Sequence, residues 1–288
     1  MLLLEGGKMI ITKISDGFGN QLFMYACGYA VSRQLNTKLW LDATMLSTNE
    51  ERNLELTKLN IKYDKLFTVE DRKSSLLKKI ERYWKQKKMF FKCKIYNENL
   101  PYIFDEKIFN VSGNTYISGY WQSEKYFKKY SRELKQMFTP KYQMSFACKE
   151  YIRQASNCNS VAVHVRRGDY NKIGICIKEE YYHEAIMEIM NRVDNPIFFV
   201  FSDDIAAAQK ILNIKNANFI YVKYESLNLT LDDFFILKSC KHQIIANSTF
   251  SWWAAWLNDN DNKYVICPEY KYWKGDYYPK EWIKIKCE

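Results

Sequence analysis

From residue 160 onward, short apolar runs alternate with stretches of helical periodicity, and that alternation restricts the fold more than any other feature of the chain. Strands are expected at 160–165, 196–201, 218–222, 243–246 and 264–267. Between the first two, 179–193 sets Tyr182, Ala185, Ile186, Ile189, Met190 and Val193 at i, i+3, i+4, i+7 spacing, the apolar stripe of a helix lying on a sheet. Thr230 and Asp233 have the spacing of a capping box that opens another helix. Each strand then returns to its neighbour through a helix, which gives an α/β fold with a parallel, doubly wound sheet. The chain opens the same way: MIITKIS at 9–15 reads as a strand, GFGNQ leads into a helical pattern over 20–35, and LWLDA at 39–43 is the next strand. From about 45 to 140 the pattern is irregular and reads mostly as polar or amphipathic helix. Breaks at Pro140 and in the polar ASNCNS stretch separate two domains, 1–145 and 146–288.

With 288 residues, 47% of them apolar, the chain has enough apolar surface for real cores. No apolar run approaches the roughly 20 residues that span a bilayer, and MLLLEGGKM lacks the charged start of a signal peptide, so a cytoplasmic location is expected. Eight cysteines without a CxxC pair read as reduced structural thiols, and three histidines leave no four-ligand zinc set. The net charge of +10 is concentrated, because 72–94 holds ten Lys/Arg against one Glu and the remaining chain is nearly neutral. Basicity therefore belongs to one amphipathic segment, with Leu76, Leu77, Ile80, Tyr83 and Trp84 as its apolar stripe, and not to the fold as a whole. A helix packed on its own domain and a peripheral contact with anionic membrane both fit that segment.

Four constellations fall at the carboxyl ends of expected strands, where open α/β sheets bind ligands. In VAVHVRRGDY (161–170), Arg166 and Arg167 repel each other unless an anion, an acid or solvent compensates them, and a planar guanidinium fork suits a diphosphate. Arg167 with Asp169 is expected to be a structural ion pair, and His164 is either a satisfied core histidine or a donor that recognises a base. In DGFGNQLF (16–23), Gly17 and Gly19 allow positive φ angles and the close backbone approach a phosphate or sugar needs, beside a helix N-terminus. A tight turn without a ligand accounts for them equally. After IFFVF, a carboxylate of Asp203 or Asp204 can accept from guanine N1 and N2, or cap the following helix. In ANSTFSWWAAW (246–256), Ser248, Thr249 and Ser251 offer a phosphate cradle, while Trp252, Trp253 and Trp256 read as core. The DxD-like Asp259-Asn260-Asp261 follows a helical stretch and reads as a solvated loop.

Taken in order, GFGNQLFMYA, GYWQSEKYF (119–127), HVRRGDY, FSDD and NSTFSWWAAWL make the chain resemble the bacterial α-1,2-fucosyltransferases of glycosyltransferase family 11. The resemblance implies a GT-B-type fold of two Rossmann-like domains facing a cleft, GDP-β-L-fucose as donor, a galactose-terminated glycan as acceptor and no metal. It implies that Arg166 binds the β-phosphate, that His164 and Asp203 or Asp204 read guanine, that Ser251 touches the diphosphate, and that Asn20 lines the sugar and acceptor cleft. Asp16 stands where the family often has glycine. The acid that follows the arginine motif in α-1,6 enzymes has no counterpart, Gly174 lying five residues past Asp169; Asp16 is a candidate base, and a late proton loss that needs no strong base is the alternative. A nucleic-acid-binding protein and a non-catalytic carbohydrate-binding module remain as other classes, but the first leaves the strand-end motifs unexplained.

Overall fold

Two runs of aliphatic residues, MIITK and SVAVHV, are buried along almost their whole length and become inner strands of two separate parallel sheets, each covered on both faces. The computed structural model describes residues 8–46, 53–68, 93–271, 273 and 275–287, so the basic stretch 72–94 lies outside the described residues except for its last two. The chain divides into one unit that runs to Lys141 and includes Gly275–Tyr277, and a second made of Tyr142–Lys274 and the residues from Tyr278.

The first unit contains β1 (Met9–Lys13), α1 (Phe18–Gln34), β2 (Lys38–Asp42), β3 (Lys65–Phe67), β4 (Lys94–Asn97), β5 (Thr115–Ser118) and α2 (Ser131–Met137). Its sheet order is β3-β2-β1-β5-β4, with every pairing parallel. The stretch read as mostly helical thus supplies three of the five strands, each only three or four residues long and too short to display a period.

The second unit contains α3 (Phe146–Ser156), β6 (Ser160–Val165), α4 (Gly168–Ile173), α5 (Glu179–Met190), β7 (Ile197–Ser202), α6 (Ile205–Ile211), β8 (Asn218–Tyr221), α7 (Leu229–Ser239), β9 (His242–Ile244), α8 (Thr249–Leu257), β10 (Val265–Glu269) and β11 (Ile283–Lys286). The sheet order is β11-β10-β9-β6-β7-β8, again all parallel. All five expected strands are present. The capping box is not: Asn228 precedes α7 without a side-chain cap, and Asp233 accepts instead from the Tyr224 hydroxyl at 2.9 Å. Trp252 and Trp253 are fully buried, and Trp252 lies 5.4 Å from Trp282 between ring centroids, so this aromatic run belongs to the core.

Each sheet reverses direction once beside its inner strand. In the first unit the chain winds outward from β1 through β2 to β3, and the other side holds β5 and β4; in the second it winds from β6 to β8, then resumes at β9 on the other flank. The loops after β1 and β5, and those after β6 and β9, therefore diverge at two topological switch points, where doubly wound sheets leave a crevice. The fold is of the GT-B-type α/β class, two parallel-sheet units in one chain.

Candidate active site

At the second unit's switch point, β6 carries His164 into a nearly closed environment, 7% exposed. Its Nδ1 shares a 2.9 Å hydrogen bond with Oγ of Ser251, and its ring lies 5.6 Å from that of Phe250. Burial, and next the Arg166 charge, push the imidazole pKa down to about 4, so His164 is neutral at neutral pH, with one donor and one acceptor nitrogen.

Ser251, expected at the diphosphate, is fully buried, and its hydroxyl donates to the Ser248 carbonyl at 3.3 Å as well as meeting His164. Its place on the first turn of α8 aims it at β6, where it orients His164. Ser248 caps α8, its Oγ accepting from Phe250 N at 3.3 Å, while Thr249 at the helix start is half-buried.

Asp203 and Tyr170 brace Arg166. Its Nη1 pairs with Oδ2 of Asp203 at 2.9 Å, and its guanidinium sits 5.4 Å from the Tyr170 ring centroid. Tyr170 in turn donates its hydroxyl to the Asn247 carbonyl at 3.0 Å, and the Asn247 amide donates to Ile175 O at 2.8 Å, tying the loop after β6 to the turn after β9. Asp203 also accepts from Arg167 N at 2.8 Å. A Cβ added at Gly168 would lie 2.8 Å from Oδ2 of Asp203, so glycine there lets the carboxylate come up against the loop. Asp204 is the cap of α6, accepting from Ala207 N at 2.9 Å. The two acids of the SDD turn therefore split: Asp204 holds a helix and Asp203 holds the arginine. Nε of Arg167 is buried without a hydrogen-bond partner among the described residues. The Asp169 side chain, its expected partner, lies outside the described residues.

In the first unit the switch point joins the loops after β1 and β5. Asp16 is exposed and left-handed, φ +65°, and its Oδ2 accepts from Ser15 Oγ at 2.8 Å and from the Tyr120 hydroxyl at 3.1 Å. That φ explains a preference for glycine at this position, which aspartate tolerates better than most residues. The expectation for Gly17 and Gly19 is corrected accordingly: Gly17 precedes α1 at φ −70° and Gly19 is a buried helical residue, so neither supplies the positive φ. Asn20 Oδ1 accepts from Gln122 Nε2 at 2.8 Å.

Beneath this pair, Glu98 accepts from Tyr120 N at 2.7 Å and Trp121 N at 3.0 Å. It stabilises a turn in which the fully buried Trp121 adopts φ +56°. Gly119 is required there, since a Cβ would come within 2.4 Å of the Glu98 Cβ. Burial raises the Glu98 pKa, and the two amide donors oppose the rise. The structure thus brings Asp16 together with Tyr120 and Asn20 with Gln122, Arg166 together with Asp203, and His164 together with Ser251, whose hydroxyl reaches Ser248. GYWQSEKYF stands out in the sequence as a motif, but nothing local assigns a role to Glu98, Tyr120, Gln122, Tyr170 or Asn247. Among the described residues no three His, Cys, Asp or Glu side chains form a group able to hold a metal ion.

Two parallel α/β units in one chain make a GT-B-type fold, with an arginine braced at one switch point and an acid and an amide at the other. The chain belongs to glycosyl transferase family 11, whose model matches residues 8–286. It is 33% identical to an alpha-1,2-colitosyltransferase of Escherichia coli over 97% of this chain and 99% of that protein. It is 28% identical to the O-antigen biosynthesis glycosyltransferase WbnK of Escherichia coli, with 94% and 99% covered. Among solved structures it is similar to the NodZ alpha-1,6-fucosyltransferase soaked with GDP-fucose, at TM-score 0.51 and 13% identity over 88% of this chain and 93% of that one. Arabidopsis thaliana FUT1 in complex with GDP matches with the same score at 11% identity, over 90% and 70%.

Proposed function

We propose that the enzyme moves L-fucose from GDP-β-L-fucose, with inversion, to the 2-hydroxyl of a terminal galactose on an oligosaccharide or O-antigen glycan. The observation that carries this reading is Arg166, held by Asp203 and Tyr170 at a strand end beside a neutral, buried histidine. The planar fork of a guanidinium matches phosphate oxygens. As the C1–O bond of the donor breaks, negative charge grows on the departing diphosphate. Arg166 and the amino-terminal turn of α8 around Thr249 stabilise that charge most in the transition state, which lowers the barrier. His164, with Asp203 as the nearby acid, is suited to reading the guanine edge. Asp16, already accepting from Tyr120, takes the proton of the acceptor hydroxyl, while Asn20 and Gln122 hold the sugar.

The colitosyl relative favours one second reading, a donor whose sugar is fucose without its 3-hydroxyl. Purified enzyme is given lactose with GDP-fucose or GDP-colitose and GDP release is followed. A site that hydrogen-bonds the 3-hydroxyl discriminates strongly against its absence, so kcat/KM is expected to be at least about tenfold higher for GDP-fucose. Equal or better use of GDP-colitose overturns the fucosyl assignment. Activity is expected to persist in excess EDTA, because arginine takes the place of a cation. For the basic 72–94 segment a helix packed on its own domain is the favoured reading and a peripheral contact with anionic membrane the alternative; under that alternative, Gln in place of Lys78, Lys79, Lys85, Lys87 and Lys88 should abolish co-sedimentation with anionic vesicles and spare transfer to lactose.

A further inference from the structure

A cavity of about 270 Å³ opens in the first unit, well away from its switch point. Gln34, at the end of α1, lies on its edge, whereas Asn20 stands at the start of the same helix; 14 residues at 1.5 Å each separate the two by about 21 Å. The inner wall is aromatic and fixed. Phe104 stands edge-on to Tyr126 at 5.0 Å between centroids and lies 6.3 Å from Phe109. Tyr126 is 2% exposed, and its hydroxyl donates to Ile103 O at 3.1 Å and accepts from Asp105 N at 3.0 Å, so this ring does not need to be ordered by a ligand.

The rim has a different chemistry. Gln34, Glu106, Asn110 and Lys129 are exposed around the opening, and Lys129 Nζ donates to Gln34 Oε1 at 3.0 Å while lying 5.6 Å from the Tyr130 ring centroid. The positive charge is largely balanced, since Lys125 pairs with Asp276 and Glu106 faces the same space as Lys129. A balanced rim disfavours an anion as the ligand. The volume falls below the roughly 300 Å³ at which drug-sized pockets begin, which disfavours a nucleotide. The half-buried rings of Phe104 and Phe109, surrounded by an amide pair, a carboxylate and an ammonium, suit a pyranose, whose C–H groups rest on the rings while its hydroxyls reach the polar rim.

We infer that this cavity is a second saccharide subsite that holds one neutral pyranose unit of the acceptor glycan, several units away from the galactose that is modified. That it serves the acceptor rests on the proposed function; that it binds a sugar does not. The subsite raises affinity for long acceptors without touching the reaction, because the second contact is made by an already tethered chain.

Phe109→Ala, and separately the surface variant Asn110→Ala/Lys129→Ala in case Phe109→Ala melts early, are titrated with lactose and with a galactose-ended hexasaccharide. Binding is followed by saturation-transfer NMR and calorimetry. The expected result is a Kd for the hexasaccharide at least fivefold weaker than wild type in either variant, with the lactose Kd and the kcat on lactose unchanged. The inference is overturned if the wild type binds the hexasaccharide no better than lactose, if the variants bind it as wild type does, or if both ligands weaken equally. A wild type that binds the hexasaccharide through Phe109 but transfers no fucose to it supports the subsite and overturns the fucosyl-transfer reading alone.

Discussion

Replacing Arg166 with lysine keeps one positive charge at the end of β6 and removes the fork. In the native arrangement Nη1 meets Asp203 at 2.9 Å and the guanidinium stacks near Tyr170, so the group is oriented before any ligand arrives. A lysine ammonium is a point charge on a flexible stem; drawn to Asp203, it leaves the diphosphate with one charge-assisted hydrogen bond fewer. Such a bond is worth about 1.5–3 kcal/mol, and 1.36 kcal/mol is a factor of ten in rate. Donor kcat/KM should therefore fall by roughly 10- to 150-fold in steady-state GDP-release kinetics. Stability should change little, because the pair is partly solvated, with side chains 28% and 24% exposed, and the lysine ammonium still compensates the Asp203 charge. Asp203 also keeps its bond from Arg167 N. Normal donor kinetics in Arg166→Lys would refute the phosphate assignment. A large loss of Tm with proportionate loss of activity would show Arg166 to be a structural residue.

Asp16→Asn preserves a residue that tolerates φ +65° and removes the charge; kcat should drop about 10²- to 10⁴-fold with little change in acceptor KM, and a change under threefold in the pH–rate profile's plateau would rule out Asp16 as the base. Glu98→Gln leaves the Tyr120 and Trp121 amides one acceptor oxygen between them, a cost of about 1–3 kcal/mol; acceptor KM should rise while acceptor-independent hydrolysis of the donor stays unchanged, and unaltered acceptor kinetics would contradict its positioning role. His164 should titrate near 4 by NMR. Its stability contribution is complete above the unfolded value of about 6.5 and is lost as pH falls toward 4, by up to about 3 kcal/mol. Burial lifts Asp233 to about 6, which acts with the opposite sign over the same range, so the resonance of His164 and not the melting curve is the readout. A midpoint above 6 would mean that His164 is not buried as described.

What the sequence disclosed and what it hid follow from the range of the interactions. Strands β6 and β7 are six residues long and buried on both faces, so their composition alone marks them. Strands β3, β4 and β5 are short and held by their neighbours, and β11, reading IKIK, carries exposed lysines on alternate positions. The site shows the same division. Arg166 was legible because a charge cluster at a strand end is unusual in itself. Ser251 looked like a phosphate ligand because Ser248, Thr249 and Ser251 share one helical turn; only the fold reveals that the third residue points back at His164, 87 residues earlier. Asp16 and Tyr120 are 104 residues apart, and Asn20 and Gln122 are 102 apart, so neither pairing leaves a local trace. The glycines of GFGNQ suggested a strained turn, and the strain sits one residue before them.

The bond that the enzyme makes is the most direct test of fucosyl transfer. Wild-type protein is incubated with GDP-β-L-fucose and lactose, and the isolated trisaccharide is analysed by NMR for the configuration of the new anomeric centre and for its attachment point. The account predicts an α-linked fucose on O2 of galactose, the inverted configuration at the position proposed. A β-linked product, attachment at any other hydroxyl, or release of GDP with no trisaccharide formed would contradict it.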